Sequence, residues 1–267
     1  MKKKILLIFG ILFLLVGAAL IIVPQISNQV GIQIAHDTVN DFLNLKDNIV
    51  DGTKPTEEET RLTEETNTDD TFPDDNPATE NETVLYRVDI DRLFEDSVAY
   101  NEMLKTNQQN LLIDELSYQN PSLNLWNYGI PNGVYGYVAA PSIGMELPIY
   151  LGASDYNMAY GAAHLTYTSL PIGGENTNAV LSGHTGFIGR IFFDYIRNLN
   201  IGDEVLIENY WDKLTYRVVD TQIYKNYQSS ACYLSEGKDL LTMLTCISDG
   251  QGGFDRYYVI CERSTDD

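Results

Sequence analysis

Leu241-Thr242-Met243-Leu244-Thr245-Cys246 runs into Ile247-Ser248-Asp249-Gly250-Gln251-Gly252-Gly253. Apolar residues dominate the first stretch. With Leu240 in front, it reads as a buried β-strand, Leu240 to Thr245, that stops at a cysteine. The second stretch is too rich in glycine to pack and reads as a flexible loop. A thiol at the lip of a strand, facing such a loop, is placed as a nucleophile would be. Its ordinary pKa is about 8.5, so it needs a basic or cationic neighbour to react at neutral pH.

The texture around this strand is uniform. From Gly133 onward, short alternating runs broken by Gly, Pro, Asn and Asp predict strands at 134–139, 147–151, 178–182, 204–208, 213–221, 239–245 and 256–262. One helix is expected among them, Phe187 to Leu199. Seven or eight short strands with so little helix argue for a mainly β domain, residues 131–267, folded as a barrel or a sandwich.

The amino-terminal half is different. Three lysines, Lys2 to Lys4, precede an unbroken apolar run from Ile5 to Val23, and Pro24 follows. At ~1.5 Å per residue a helix of that length spans roughly 28 Å, enough to cross a bilayer core. The cationic end, residues 1–4, is expected to stay in the cytoplasm and to send the rest outside. A cleaved signal peptide is the rival reading, with Val16-Gly17-Ala18 as a faint cleavage site, but the apolar run continues past it. Residues 24–50 show loose helical spacing and predict a membrane-proximal helix. Residues 84–130 hold a second amphipathic helix, Val88 to Lys105, followed by an irregular segment.

The net charge of −21 is concentrated. Residues 51–83 hold twelve acidic side chains against Lys54 and Arg61, with nine threonines and three prolines. Such a stretch has too little apolar surface to offset the entropy of ordering, so it predicts a solvated spacer that tethers the β domain at a distance from the membrane. No basic patch or stripe is present, which argues against a nucleic-acid partner. No Cys-x-x-Cys or His-x-x-x-His spacing occurs, so no metal site and no cofactor are expected. The odd number of cysteines leaves at least one free thiol. Cys261 and Cys232 read as buried positions, with a disulfide between them open.

Of the three histidines, His36 lies outside the β region. His164 sits in Gly161-Ala162-Ala163-His164-Leu165, and His184 in Ser182-Gly183-His184-Thr185-Gly186. His184 mirrors Cys246, since a strand ends in small residues and the flanking glycines leave the imidazole uncrowded. Such a histidine alone is more often structural, and the strand-end cysteine favours catalysis. Arg256, opening the strand after the Cys246 loop, can reach back across it to hold an oxyanion.

These residues carry a resemblance. Thr242-Met243-Leu244-Thr245-Cys246 resembles the Thr-Leu-x-Thr-Cys signature of the sortases, the cysteine transpeptidases of Gram-positive cell surfaces, with Met243 in place of leucine. Ser182-Gly183-His184 and Arg256 stand where that family carries its histidine and arginine. Ala99-Tyr100-Asn101-x-x-Leu104, Gly136-Tyr137-Val138 leading to Pro141-x-Ile143, Leu147-Pro148-Ile149-Tyr150-x-Gly152, and His164-Leu165 before Thr168-Ser169-Leu170-Pro171-Ile172-Gly173-Gly174 resemble class C, the pilin-polymerising group.

The resemblance implies an eight-stranded β-barrel with short helices, preceded by N-terminal helices and a transmembrane anchor. It implies catalysis by Cys246, His184 and Arg256, with pilins or surface proteins bearing LPxTG-like sorting signals as substrates. A pilin lysine or a cell-wall amine would be the acceptor. The alternatives are a sortase that anchors proteins to peptidoglycan and a non-catalytic surface binding domain. Class C relatives often carry a lid whose Asp-Pro-aromatic motif plugs the site. Here the region offers Asn120, Pro121 and Ser122, with Trp126 or a nearby tyrosine to supply the ring, or else the cleft is open.

Overall fold

The computed structural model describes residues 2–51, 86–111, 117–186, 188–189, 192–225 and 230–264. Eight strands close a barrel: β3 (Val134–Ala140), β4 (Met145–Leu151), β5 (Ala162–His164), β6 (Thr177–Ser182), β7 (Glu204–Asn209), β8 (Lys213–Tyr224), β9 (Asp239–Ser248) and β10 (Phe254–Arg263). Around the barrel the order is β10-β8-β7-β3-β4-β5-β6-β9. Closure removes the unpaired edges that a sheet of this size would otherwise expose.

Alternation along β9 divides its side chains between two environments. Leu241 and Met243 enter the barrel core, whereas Leu244 joins a second apolar cluster with Val180, Ala163, Leu165, Cys232 and Tyr258. The expected strands are all present. Each is longer than expected, most of all the last three, which run to Tyr224, to Ser248 and over Phe254–Arg263, and β5 is an additional three-residue strand. Cys232 and Cys261 are both buried and unbonded, so no disulfide joins them.

The expected helix over 187–199 is absent from the described residues, where only the 3-10 turn Ile196–Asn198 occurs. Its apolar residues fit a helical period, but Gly186 and Gly189 adopt φ of 75° and 79°, which breaks any α-helix there. Phe192, Phe193 and Ile196 are buried by a folded loop instead.

At the amino terminus the anchor and the membrane-proximal helix are one element, α1 (Lys2–Asp47), which runs through Pro24. Loss of one backbone bond at a proline is tolerated where neighbouring structure holds the helix. The segment is long and apolar enough to cross a membrane. Beyond it, Ala35, Val39, Phe42 and Leu45 are buried, following the helical period. Phe42 packs edge-on against Tyr210 and Tyr137, with ring centroids 5.0 and 6.2 Å away. Lys46 Nζ donates to Glu208 Oε1 at 3.0 Å and to the Asn209 carbonyl at 2.8 Å. α1 is therefore docked on the barrel before the acidic stretch begins.

That docking changes the meaning of the spacer, which lies outside the described residues apart from Asp51. Its flanks form a two-stranded parallel sheet, β1 (Ile49–Asp51) against β2 (Tyr86–Val88), with Asp51 opposite Val88. The described residues on either side of the acidic stretch therefore lie next to one another. After β2, helix α2 spans Ile90–Leu111, six residues past the expected end.

Replacing Phe42 with alanine is expected to cost about 3–5 kcal/mol, the usual range for a buried phenylalanine. The measurement is the urea midpoint of the full chain in detergent. An unchanged midpoint would show that α1 is not docked.

Candidate active site

β9 is paired on both edges. Toward β10 the register sets Arg256 directly opposite Cys246. The Arg256 guanidinium donates a hydrogen bond to the Cys246 sulfur. The strand continues two residues past Cys246, so the thiol is not at its end as the sequence suggested. The loop that follows is also more ordered than its glycines imply. Asp249 Oδ1 accepts from the backbone N–H groups of Gln251 at 2.7 Å and Gly253 at 2.8 Å, and these bonds hold its carboxyl below the usual carboxylate range. A fixed hairpin thus returns the chain to Arg256.

Toward β6 the pairing is parallel and ends with Ser182 beside Leu244. The alignment persists beyond the strand. The Gly183 N–H donates to the Leu244 carbonyl at 3.2 Å, and Thr245 Oγ1 donates to the Gly183 carbonyl at 2.8 Å. Continuing that register brings His184 level with Cys246. Strands β9 and β10 and the segment that follows β6 therefore bring Cys246, Arg256 and His184 to one height on the barrel. Gly183 is required for close packing, because a Cβ there would stand 2.6 Å from Cγ of Phe193.

The threonines of the Thr242-to-Cys246 run have definable roles. Thr245 ties β9 to the His184 segment, as above. Thr242 Oγ1 donates to Asn178 Oδ1 at 2.9 Å, and Asn178 Nδ2 donates to the carbonyls of Ala231 and Tyr233. The connection before β9 is thereby fastened to β6.

The other histidines are elsewhere. His36 Nδ1 lies 2.7 Å from Glu146 Oε1 on β4. His164 is fully buried, with Nε2 2.9 Å from the Ser169 carbonyl and Nδ1 3.2 Å from Ser122 Oγ. Nε2 faces the Thr168 and Ser169 carbonyls and the Thr168 hydroxyl, whose own proton goes to the Leu165 carbonyl, so Nε2 carries the proton and donates, while Nδ1 accepts. Burial pushes the imidazole pKa down to about 4. His164 is thus a neutral fastener between β5 and the segment before the barrel.

That segment holds the lid residues expected from sequence. The Thr166 hydroxyl donates to the Asn120 carbonyl, and the Ala153 N–H donates to the Tyr118 carbonyl at 2.9 Å. Pro121 and Trp126 line a cleft of about 520 Å³ with Tyr150, Tyr156 and Tyr160, and that lining does not include Cys246. Trp126 is 70% exposed. A tyrosine, Tyr118, instead packs on the cluster containing Leu244 and Tyr258. These two residues precede Cys246 and follow Arg256 by two positions.

Sequence reasoning missed the polar clamps from α2. Asn101 Oδ1 accepts from the Leu170 N–H at 2.7 Å, and Gln108 binds the Tyr167 and Cys232 carbonyls and the Leu234 N–H. Both are buried, Asn101 on the expected amphipathic helix and Gln108 beyond its expected end at Lys105. Asn101 belongs to the Ala99-to-Leu104 stretch of the class C resemblance, whereas Gln108 has no sequence signal.

Comparison with known proteins agrees with this arrangement. A sortase-domain family model matches residues 138–264. Sortase C1 of GBS Pilus Island 1 is 30% identical, superposes with a TM-score of 0.56, and the match covers 66% of this chain and 88% of that one. The chain belongs to the sortase family. Other similar solved structures are also sortases C: sortase C-1 from Streptococcus pneumoniae is 27% identical with a TM-score of 0.58, covering 70% of this chain and 92% of that one. Sortase C from Clostridium perfringens SM101 is 28% identical with a TM-score of 0.53, covering 77% and 97%. Among curated relatives, sortase D of Bacillus subtilis is 30% identical over 42% of this chain and 53% of its own length. Sortase A of Streptococcus agalactiae is 24% identical over 59% of this chain and 64% of its own. The chain thus spans between about half and two thirds of the curated sortases it matches.

The depressed His164 pKa has a pH consequence. Unfolded, the imidazole binds a proton near its ordinary value of about 6.5, while the folded site refuses it until about pH 4. Stability is therefore full above pH 6.5 and falls as the pH drops toward 4, by about 3 kcal/mol from this group. Urea unfolding at pH 7 and pH 4.5 should show a smaller acid loss in His164→Gln than in the parent chain. An equal loss in both would remove His164 as the cause.

Proposed function

We propose that this sortase is a membrane-anchored cysteine transpeptidase in which Cys246, His184 and Arg256 carry the chemistry. The observation that carries this reading is the guanidinium–sulfur contact across the β9–β10 pair, with His184 two residues past the end of the neighbouring strand β6, whose register with β9 points it at Cys246. The lysines at the start of α1 stay inside the cell, and the barrel works on the outer face.

In the first half-reaction the Cys246 thiolate attacks the carbonyl before the scissile bond of an LPxTG-like sorting signal. Arg256 donates to the oxygen that gains negative charge, where a fixed donor acts most strongly. The carbon–nitrogen bond breaks, and protonated His184 gives its proton to the departing amine. A thioacyl enzyme remains. In the second half-reaction an incoming amine loses its proton to His184 and attacks the thioester, and the carbon–sulfur bond breaks to return the thiolate. The amide made replaces the amide broken, so no nucleotide is needed.

A pilin lysine is the acceptor we favour. Support comes from relatives whose own descriptions concern pili, among them sortase C1 of GBS Pilus Island 1 and a pilus-related sortase C of Group B Streptococcus. A cell-wall amine as the preferred acceptor would instead assign the protein to peptidoglycan anchoring.

The full chain in detergent, incubated with a labelled sorting peptide, should form a mass adduct on Cys246 that Cys246→Ala abolishes. Arg256→Ala should slow adduct formation by roughly 10²–10³-fold, the usual effect of losing one oxyanion donor. Absence of an adduct with every sorting peptide tried would overturn the assignment. Adding pilin lysine peptides or cell-wall amines to the adduct then identifies the acceptor.

A further inference from the structure

We propose that Asn28 and Gly31 of α1 are positioning residues for the loop that carries His184, so that the membrane helix is a working part of the active site. The inference rests on the reading that His184 takes part in the reaction.

The loop leaves β6 at His184 and returns where the Phe193 N–H donates to the His184 carbonyl at 3.1 Å. The Gly186 N–H donates to Asp194 Oδ1 at 2.9 Å. These bonds close the base of the loop near its own strand. Farther out, the described residue Gly189 is held by α1. Its N–H donates to Asn28 Oδ1 at 2.6 Å. A Cβ on Gly31 would stand 2.1 Å from the Gly189 carbonyl oxygen, and a Cβ on Gly189 would stand 2.7 Å from Ser27 Oγ. Helix and loop therefore meet backbone to backbone, a separation that only paired glycines permit.

The contact continues the docked face of α1. Partly or fully buried positions recur at Pro24, Ser27, Asn28, Gly31, Ala35, Val39, Phe42 and Leu45, while Ile26, Val30, Ile32 and Ile34 between them are exposed. That is one stripe at helical spacing. Its lower end meets the His184 loop just above the apolar run, and its upper end meets the barrel. Loop and barrel thus share one rigid support.

A general helix argument predicts the opposite of this proposal. Gly31 lies inside a helix, where alanine is the better helix former, so Gly31→Ala ought to be harmless or stabilising. If Gly31 instead makes room for Gly189, the added methyl displaces the loop and misplaces the imidazole. Misplacement of a reacting group by about an ångström costs up to ~10²-fold in rate.

The test uses the full chain in lipid nanodiscs, measuring thioacyl formation with a labelled sorting peptide alongside the melting temperature. Gly31→Ala and Asn28→Ala are expected to lower kcat by roughly 10- to 100-fold with KM little changed. Gly31→Ala should melt no lower than the parent. Asn28→Asp keeps an acceptor for the Gly189 N–H and should restore the rate. Gly17→Ala, whose methyl would meet nothing within 4 Å, should match the parent. Parental rates in both Gly31→Ala and Asn28→Ala would overturn the inference, and so would failure of Asn28→Asp to rescue. His184→Ala separates the two claims. If it is inactive while Gly31→Ala is normal, only the positioning role fails. If it is fully active, the reading of His184 fails.

Discussion

β9 is hydrogen-bonded along both edges, parallel to β6 and antiparallel to β10, and this double pairing removes its freedom to slip. A shift by one residue would turn Leu241 and Met243 out of the core and put Leu244 and Cys246 into it. The barrel core therefore dictates which residues of β9 face outward. Cys246 is one of them by the same alternation that places Leu244 in the outer cluster. Neighbouring strands then have no choice of partner for it. Antiparallel pairing presents Arg256, and the parallel register, continued two residues past β6, reaches His184. The alignment of these three positions is a consequence of packing, reinforced by the Thr245–Gly183 bond.

The barrel is flanked by irregular loops whose backbone groups must be satisfied. Side-chain amides do this work. Asn101 pairs with the Leu170 backbone much as a strand would, Gln108 bridges two loops, and Asn178 holds the connection before β9. Each is buried and bonded, so none carries the penalty of an unpaired polar group. Their bonds confine the loops without adding strands.

What the sequence disclosed follows from this division. Period-two alternation between turn residues exposed seven strands, and the outlying chemistry of Cys246, His184 and Arg256 stood out against it. Local pattern failed where tertiary contacts decided the outcome. Residues 187–199 carry apolar side chains at helical spacing, yet they serve a loop that buries Phe193 against Gly183. β5 has three residues, too few for any alternation to register. Ile247 and Ser248 looked like loop because pairing with Phe254 and Asp255 is a property of two segments together. The clamping roles of Asn101 and Gln108 were not legible because nothing local says what a helix face will meet. Pro24 suggested a break between helices, whereas the buried stripe from Ala35 onward belongs to the same continuous element.

The acidic stretch shows how far position in sequence can mislead about position in mechanism. Twelve carboxylates between an anchor and a folded domain suggest a flexible leash, and a leash sets a loose distance between barrel and membrane. But α1 reaches the barrel first, through Phe42 and Lys46, and the parallel pairing of β1 with β2 returns the chain to where it left. The apolar span and the face docked on the barrel belong to one helix rising about 1.5 Å per residue. Asn28 stands five residues beyond Val23, so its contact with Gly189 lies roughly one and a half helical turns from the apolar span. On the proposed reading of that span as a membrane anchor, the helix and not the acidic stretch would set how far the barrel stands from the bilayer.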